Sequence, residues 1–400
     1  MKIGLVANRF PTASETFVYN HAVGLQAAGV DVTVVANQPS DDAALFTSGD
    51  GASFTGRVRL SPLASAVMPS ARRLAMELVQ RPAADLALWR HAVRHYGFSS
   101  RAVRAWLLAL PFVGLDIVHF ELSGLAVSWL DALPLLEQIK FVVSCRGTAE
   151  QITPLVDKSR AEKLRAVFAA VDRVHCVSAS MRDTCARYGL DPAKAFINHP
   201  AIDAARFRRT TPYTNRTREQ LHLVSTGRLH WVKGLEFALL AVRRLIDRGI
   251  ALHYTVVGNG PDEERLRFAT SELEISEHVT FAGTRSSTEV RAYLENADVY
   301  LLPSVSEGVS NAALEAMAMS IPVVSTSVGG MTEAISDGVD GITVPPRDPD
   351  ALAQAIARLA ESSNLRSSVG IAARARVESA FNLERQIARF LAEYNALVTT

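Results

Sequence analysis

The chain has 400 residues, 48% hydrophobic and 21% charged, which is enough for two or three domains that each bury a core. Its formal net charge of +1 excludes a general electrostatic pull toward nucleic acid. No apolar run reaches transmembrane length, since Pro111 splits Ala105–Leu110 from Phe112–Leu115. Cys145, Cys176 and Cys185 lack metal-ligand spacing, so structural free thiols in a reducing cytoplasm are expected. Met1-Lys2-Ile3-Gly4 enters an apolar run at once, and no signal peptide is expected.

Lys2–Ala7 and Val32–Ala36 read as strands around a helical Glu15–Ala28 that stops at Gly29, a βαβ unit. The loop between, Phe10-Pro11-Thr12-Ala13-Ser14-Glu15-Thr16-Phe17, gives Thr12 and Glu15 the spacing of a capping box. It also lies at the carboxyl end of a strand, where α/β sheets bind ligands. Capping alone and capping with ligand contact by Ser14 and Glu15 both remain open. The loop resembles the Phe-Pro-x-x-Ser-Glu-Thr-Phe opening of bacterial exopolysaccharide glycosyltransferases.

Asp41–Gly56 reads as a surface loop. Ser70–Leu110 is helical in composition and basic, with Arg72, Arg73, Arg81, Arg90, Arg94, Arg101 and Arg104 against Glu77 and Asp85. Trp89, Phe98 and Trp106 are interleaved. The segment reads either as a solvated helix face or as a pair of helices resting on an anionic membrane surface. Short apolar runs then recur at Ile117–Phe120, Phe141–Ser144, Val174–Val177 and Ala195–Ile197. His119, Glu121, Arg146, Gly147, Ser178, Asn198 and His199 stand at their carboxyl ends, the edge at which a cleft forms. If the first and second of these strand ends are neighbours, Arg146 and Glu121 can meet, because an unpaired Arg in a dehydrated site is costly.

Thr210–Glu219 is polar and breaks the apolar rhythm, so a domain boundary is placed there: 1–210, 211–380, and a terminal helix over 381–400 with an apolar stripe of Phe390, Tyr394 and Leu397. A second αβ alternation follows, with strands at Leu221–Thr226, His253–Val257, Val279–Phe281, Val299–Leu302 and Val323–Val324. The first of them ends in Gly227-Arg228-Leu229-His230-Trp231-Val232-Lys233-Gly234. Arg228 and Lys233 on such a loop can converge on one polyphosphate, the Arg by its fork and the Lys as a point charge. Val257-Gly258-Asn259-Gly260-Pro261 lacks the third glycine of a dinucleotide fingerprint. Gly258 and Gly260 there let backbone approach a nucleobase or make a turn.

Ser304–Ser325 carries the strongest signal. Ser310 is suited to cap a helix of Asn311–Met319 that is apolar nearly all round, with Glu315 as its only charge. Glu307 lies eight residues earlier. The amides of Gly308, Val309, Ser310 and Asn311 sit at a helix N-terminus, which favours anions. Carboxylates suit sugar hydroxyls and amides suit phosphate, and a nucleotide sugar has both.

The spacing Glu307-Gly308 to Glu315, together with the Gly-Arg-x-x-x-x-Lys-Gly run at Gly227–Gly234, resembles the donor-site signature of retaining glycosyltransferase family four. The resemblance spans the chain and is strongest over Val224–Asp348. It implies a GT-B fold, α/β, with two facing Rossmann-like domains of parallel sheets and an inter-domain cleft. The N-terminal domain then binds acceptor and the C-terminal one the nucleotide sugar, with the terminal helix crossing back to the first domain. It further implies transfer, with retention, from a nucleotide diphospho-sugar to a saccharide or lipid-linked acceptor in cell-surface polysaccharide synthesis, in the cytoplasm or peripherally on the inner membrane. Arg228, Lys233 and Glu307 are the implied catalytic residues, Gly227, Gly258, Gly260, Gly308–Asn311 and Glu315 bind donor, and Ser14, Glu15, His119, Glu121 and Arg146 line the acceptor side. Glu307 faces the sugar and Glu315 the ribose. No cofactor and no metal are expected, because the Arg/Lys pair can take a metal's place. Where the family has His-x-His and Thr-x-His-Gly, this chain has His119-Phe120-Glu121 and Ser144-Cys145-Arg146-Gly147, so Arg146 replaces a His. Ser320 stands where Gly is usual. Other readings on this fold are a nucleotide-sugar epimerase or hydrolase, and a non-catalytic nucleotide-sugar sensor.

Overall fold

The computed structural model describes residues 1–12, 15–40, 53–61, 82–210 and 220–399, without the side chains of 82–85. Ser14, the arginines 72, 73 and 81, Glu77, the Asp85 side chain and the linker 211–219 therefore lie outside the described residues.

Two compact units emerge: Met1–Val177 with Met181–Asn198 and Ile387–Thr400, and Ser178–Ser180 with His199–Gln386. The division falls earlier than the polar stretch at 210 suggested. Ile202 and Phe207 pack into the second unit's core, and apolar burial outweighs the polar composition that follows them. The terminal residues 387–400 join the first unit, where Ile387, Phe390, Tyr394 and Leu397 are buried beside Ile3 and Leu5.

The first unit holds a sheet in the order β3-β2-β1-β4-β5-β6-β7, every pair parallel. Its strands are β1 (Lys2–Arg9), β2 (Asp31–Gln38), β3 (Arg57–Leu60), β4 (Ile117–Phe120), β5 (Lys140–Cys145), β6 (Arg173–Cys176) and β7 (Ala195–Ile197). β3, Arg-Val-Arg-Leu, is an edge strand with exposed residues and too few apolar ones to stand out in the sequence. The second unit holds a parallel sheet ordered β10-β9-β8-β11-β12-β13. Its strands are β8 (Leu221–Thr226), β9 (Leu252–Val257), β10 (Val279–Gly283), β11 (Val299–Leu302), β12 (Val323–Thr326) and β13 (Ile342–Val344). Each unit is Rossmann-like, as the GT-B expectation required. Strand order reverses between β1 and β4 in one and between β8 and β11 in the other, and ligands bind outside the carboxyl ends at such switch points.

The capping box at Thr12 and Glu15 does not form. The helix is Thr16–Ala27, Glu15 sits at its N-cap position without a side-chain cap bond, and the Glu15 amide donates to the Thr12 carbonyl instead. At Ser320 the helix Asn311–Ala318 ends in a residue at φ 57°, with Ile321 N–H bonded back to the Ala316 carbonyl. This is the left-handed helix-end position that glycine fills without strain. Ser320→Gly is expected to stabilise the second unit by about 0.5–1 kcal/mol, read from urea unfolding; an unchanged midpoint would remove that explanation.

Candidate functional site

At the switch point of the second unit, the loops after β8 and β11 come together. Ser225–Arg228, Lys233 and Leu302–Ser304 line a small pocket there. Lys233 Nζ donates to Glu307 Oε1 at 2.6 Å, and Ser304 Oγ donates to the same oxygen at 2.7 Å. Lys233 and Glu307 are both largely shielded from water, so the pair is a preset one. Arg228 is exposed at the pocket rim and forms no ion pair among the described residues. Two cations five residues apart in the sequence thus line one pocket. Beneath it the Tyr300 hydroxyl donates to the Thr226 carbonyl, and the Tyr254 hydroxyl donates to Ser225 Oγ. These strand hydroxyls brace the floor, and only their placement after folding distinguishes them from other core aromatics.

The helix Asn311–Ala318 starts where expected, and Ser310 Oγ caps it by accepting from the Ala313 amide at 3.3 Å. One of the four amides assigned to phosphate is already engaged: Ser310 N–H points at Met331 Sδ, 3.4 Å away. Glu315 is half-buried with no ion-pair partner among the described residues. Burial pushes its carboxyl up to about 7, against a weak opposing pull from Arg206. The partner that a buried carboxylate needs is thus not supplied by the described part of the protein.

Gly227, Gly258 and Gly260 serve the backbone itself. A Cβ on Gly258 would lie 1.9 Å from the Gly227 carbonyl oxygen, and one on Gly260 2.1 Å from that of Leu229. Gly227 N–H bonds to Val257 O and Leu229 N–H to Asn259 O. The two glycine loops are pressed against each other, which fits the turn that was one of the two readings of Gly258 and Gly260. Gly330 likewise lies on the Gly308 loop, its amide 2.6 Å from the Gly308 carbonyl.

At the switch point of the first unit, β4 and β5 are neighbours, and Arg146 meets Glu121 as expected. Its Nη2 donates to Glu121 Oε2 at 2.7 Å, its Nε to the Glu121 carbonyl at 3.0 Å, and its guanidinium lies 4.1 Å over the Phe17 ring. The loop is pinned from below, where Glu150 accepts from the amides of Arg146 and Gly147. Glu15 faces the same edge. Burial and the nearby Glu121 push its carboxyl up, with Arg146 opposing, and its Oε2 is buried without a hydrogen-bond partner among the described residues.

His119 and Glu121 are wholly buried, so neither lines an open surface. They belong to a polar chain behind it: Glu121 to His21 at 2.5 Å, His21 to Tyr394 at 3.2 Å, Tyr394 to His119 at 2.5 Å, His119 to Ser144 at 2.8 Å and Ser144 to His175 at 2.7 Å. His175 ends it on the Asn198 carbonyl at 2.7 Å. Burial drives His119 down to about 3 and His175 well below its usual value. Burial alone would raise Glu121, but His21, His119 and Arg146 bring it far below the usual carboxylate range. His21, His119 and Glu121 offer donor atoms within 4.8 Å of one another, yet all four ring nitrogens are taken, and the Tyr394 hydroxyl occupies the place between the two rings. The set does not fit a metal. His21 was not singled out in the sequence and Tyr394 was read only as part of an apolar stripe; a lone polar atom within such a stripe is the one local sign.

The three cysteines are buried and free, as expected. In the basic segment Trp106 is buried and Trp89 packs edge-on against it with ring centroids 5.6 Å apart, so the tryptophans belong to the core. Phe98, between helices Pro82–Tyr96 and Ser100–Ala109, is 89% exposed among exposed Arg90, Arg94, Arg101 and Arg104. No helix of the described residues is long and apolar enough to cross a membrane.

Two family models match this chain: "Glycosyltransferase Family 4" over residues 14–206 and "Glycosyl transferases group 1" over 220–362. A Salmonella typhimurium protein named "Putative colanic acid biosynthesis glycosyltransferase WcaL" is 31% identical over 98% of this chain and 99% of its own. The amylovoran biosynthesis glycosyltransferase AmsK of Erwinia amylovora is 29% identical with the same coverage. Among solved structures, HepE of Anabaena in complex with UDP and glucose superposes with a TM-score of 0.75 at 15% identity, covering 98% of this chain and 100% of its own. Sucrose-phosphate synthase of Thermosynechococcus elongatus gives 0.74 at 20% identity, covering 100% and 99%.

Proposed function

Because this chain is a member of glycosyltransferase family 4, we propose that it transfers a sugar from a nucleotide diphospho-sugar to a saccharide or lipid-linked acceptor in cell-surface polysaccharide synthesis, with retention at the anomeric carbon. The observation that carries this reading is the preset Lys233–Glu307 pair beside Arg228, which makes no ion pair among the described residues, at a sheet switch point. Arg228, Lys233 and the amides of Gly308, Val309 and Asn311 take the charge that builds on the leaving diphosphate, usually the largest catalytic contribution. Glu307, oriented by Lys233 and Ser304, accepts from the sugar hydroxyls, and Glu315 from the ribose. The bond from the anomeric carbon to the diphosphate breaks as the acceptor oxygen bonds on the same face, and a departing phosphate oxygen takes the acceptor proton. The cations make a metal unnecessary for this step. The first unit receives the acceptor at Glu15 and Arg146.

The test is a thermal-shift panel of UDP-, GDP-, ADP- and dTDP-sugars, followed by product analysis with the donor that stabilises. Nucleotide release only with acceptor supports transfer. Release without acceptor indicates a hydrolase, and binding without turnover a sensor.

The acceptor reading carries a location. Phe98 and the arginines around it suit an anionic lipid surface, an aromatic inserting at the headgroup level with cations beside it. Vesicles rich in anionic lipid are expected to bind the protein at low salt and release it at physiological salt. Phe98→Asp with Arg94→Glu should weaken binding at least tenfold; undiminished binding by that variant would remove the contact.

A further inference from the structure

The amino end of the second sheet, opposite the strand ends that carry Arg228 and Lys233, brings three histidines into one row. His222 of β8 is the register partner of His253 of β9. Val279 of β10 pairs with Tyr254, so His278, the last residue of the turn Ser276–His278, stands beside His253 on its other flank. Leu223, Tyr254 and Val279 enter one core cluster, and alternation along the strands sends His222 and His253 to the opposite face. All three histidines are half-buried. The His222 and His253 ring centroids lie 6.5 Å apart. Burial, and after it the neighbouring His278, push the His253 pKa below its usual value, which places His278 within electrostatic reach of it.

The partners of these rings suit a metal ligand. His278 Nδ1 lies 3.2 Å from the Leu252 carbonyl, which only accepts, so Nδ1 carries the hydrogen and Nε2 of the neutral ring keeps its lone pair. His253 Nε2 lies 2.9 Å from Thr280 Oγ1, and a hydrogen donated there leaves the lone pair on Nδ1. One ring nitrogen held by an oxygen of the protein, with the other offered outward, is the usual setting of a metal-bound histidine. Neither His253 nor His278 has an ion pair among the described residues, so no carboxylate competes for them. Zn–N bonds of about 2.0–2.1 Å put two rings on one ion roughly 5–6 Å apart between centroids. The 6.5 Å between His222 and His253 is slightly wider, and half-open imidazoles turn inward at small cost because their second side-chain torsion is broad.

We propose that His222, His253 and His278 bind one divalent transition-metal ion of the zinc class, with imidazoles as its protein ligands and water completing the shell. The ion ties β8, β9 and the turn before β10 together, at the end of the strands away from the Arg228–Lys233 pocket and so outside the transfer step. The experiment takes the full chain without any affinity tag, strips it with EDTA, dialyses it against ZnCl2 or MgCl2, and melts it with and without the ion. Wild type is expected to take up Zn2+ and to melt at a higher temperature with it, since an ion that binds only the folded state stabilises that state. Mg2+, which prefers oxygen ligands, should do neither. His253→Gln should weaken Zn2+ binding at least tenfold and abolish the rise in melting temperature. His222→Gln and His278→Gln should each weaken binding as well, and they carry the comparison if His253→Gln melts early without zinc. His91 and His95 stand four apart on the helix Pro82–Tyr96, a spacing that can also chelate, so the variant with both changed to Gln is the control and should bind as wild type does. A wild type that takes up no Zn2+, uptake that persists unchanged in the His253→Gln and His278→Gln variants, or uptake lost in the His91→Gln, His95→Gln control overturns the proposal.

Discussion

Arg228→Ala and Lys233→Ala are each expected to lower single-turnover rates at saturating donor by about a hundredfold or more, the usual cost of losing one preorganised charge contact in a transition state. The two should differ in side effects. Arg228 is exposed and makes no ion pair among the described residues, so its removal leaves the resting fold alone. Lys233 holds Glu307 at 2.6 Å, so Lys233→Ala also takes the cation away from a largely shielded carboxylate. That variant should therefore lose about 1–3 kcal/mol of stability as well, while Lys233→Arg recovers part of the rate. The double variant should fall short of the product of the single effects, because both cations act on one diphosphate. Near-wild-type rates in both single variants would sink the assignment of the donor pocket.

Glu315→Gln is expected to make the unliganded protein more stable and nucleotide binding weaker. Folding raises this carboxyl from 4.5 to about 7, so the folded state holds more protons than the unfolded one between those values. Stability from this group is therefore greatest below pH 4.5, declines as pH rises through about 7, and is lowest above it. Gln carries no such charge, and at pH 8 the variant should gain about 1–3 kcal/mol. The ribose hydroxyls, however, need the ionised acceptor. Wild-type nucleotide affinity should rise from pH 6 to pH 8, and Glu315→Gln should lose that rise and bind about ten- to a hundredfold more weakly at pH 8. The rate at saturation should change less, since a ribose contact is made in ground and transition states alike. A Gln variant with unchanged affinity and a depressed rate would contradict the ribose role.

Much of this architecture was legible in the residues. β-branched runs such as Ile117–Phe120 and Val299–Leu302 begin and end where the strands do, and Ser310 caps the helix it was expected to cap. Those features are local: a buried parallel strand needs a few consecutive apolar residues, and a cap needs one hydroxyl three residues from the amide it accepts. The Arg228–Lys233 loop and the Glu307–Glu315 pair were equally readable, because each is confined to one strand-to-helix connection. Thr12 and Glu15 had the spacing of a cap without forming one, so local spacing permits a contact and leaves the rest of the fold to choose it.

The tertiary structure decided what lies behind Arg146. His21 reaches Glu121 across 100 positions and Tyr394 across 373, and no periodicity in either helix marks those partners. The glycine loops are similar: Gly258 is dictated by the Gly227 carbonyl, which another strand brings to it. Residues of this kind answer to neighbours distant in sequence, and sheet order and register determine who those neighbours are. The sequence by itself therefore specified most of the strands and the connections that carry Arg228, Lys233, Glu307 and Glu315. The polar chain from Glu121 through His21, Tyr394, His119 and Ser144 to His175 came only from folding, because a buried polar atom is compelled to pair with whatever the fold places beside it once water is gone.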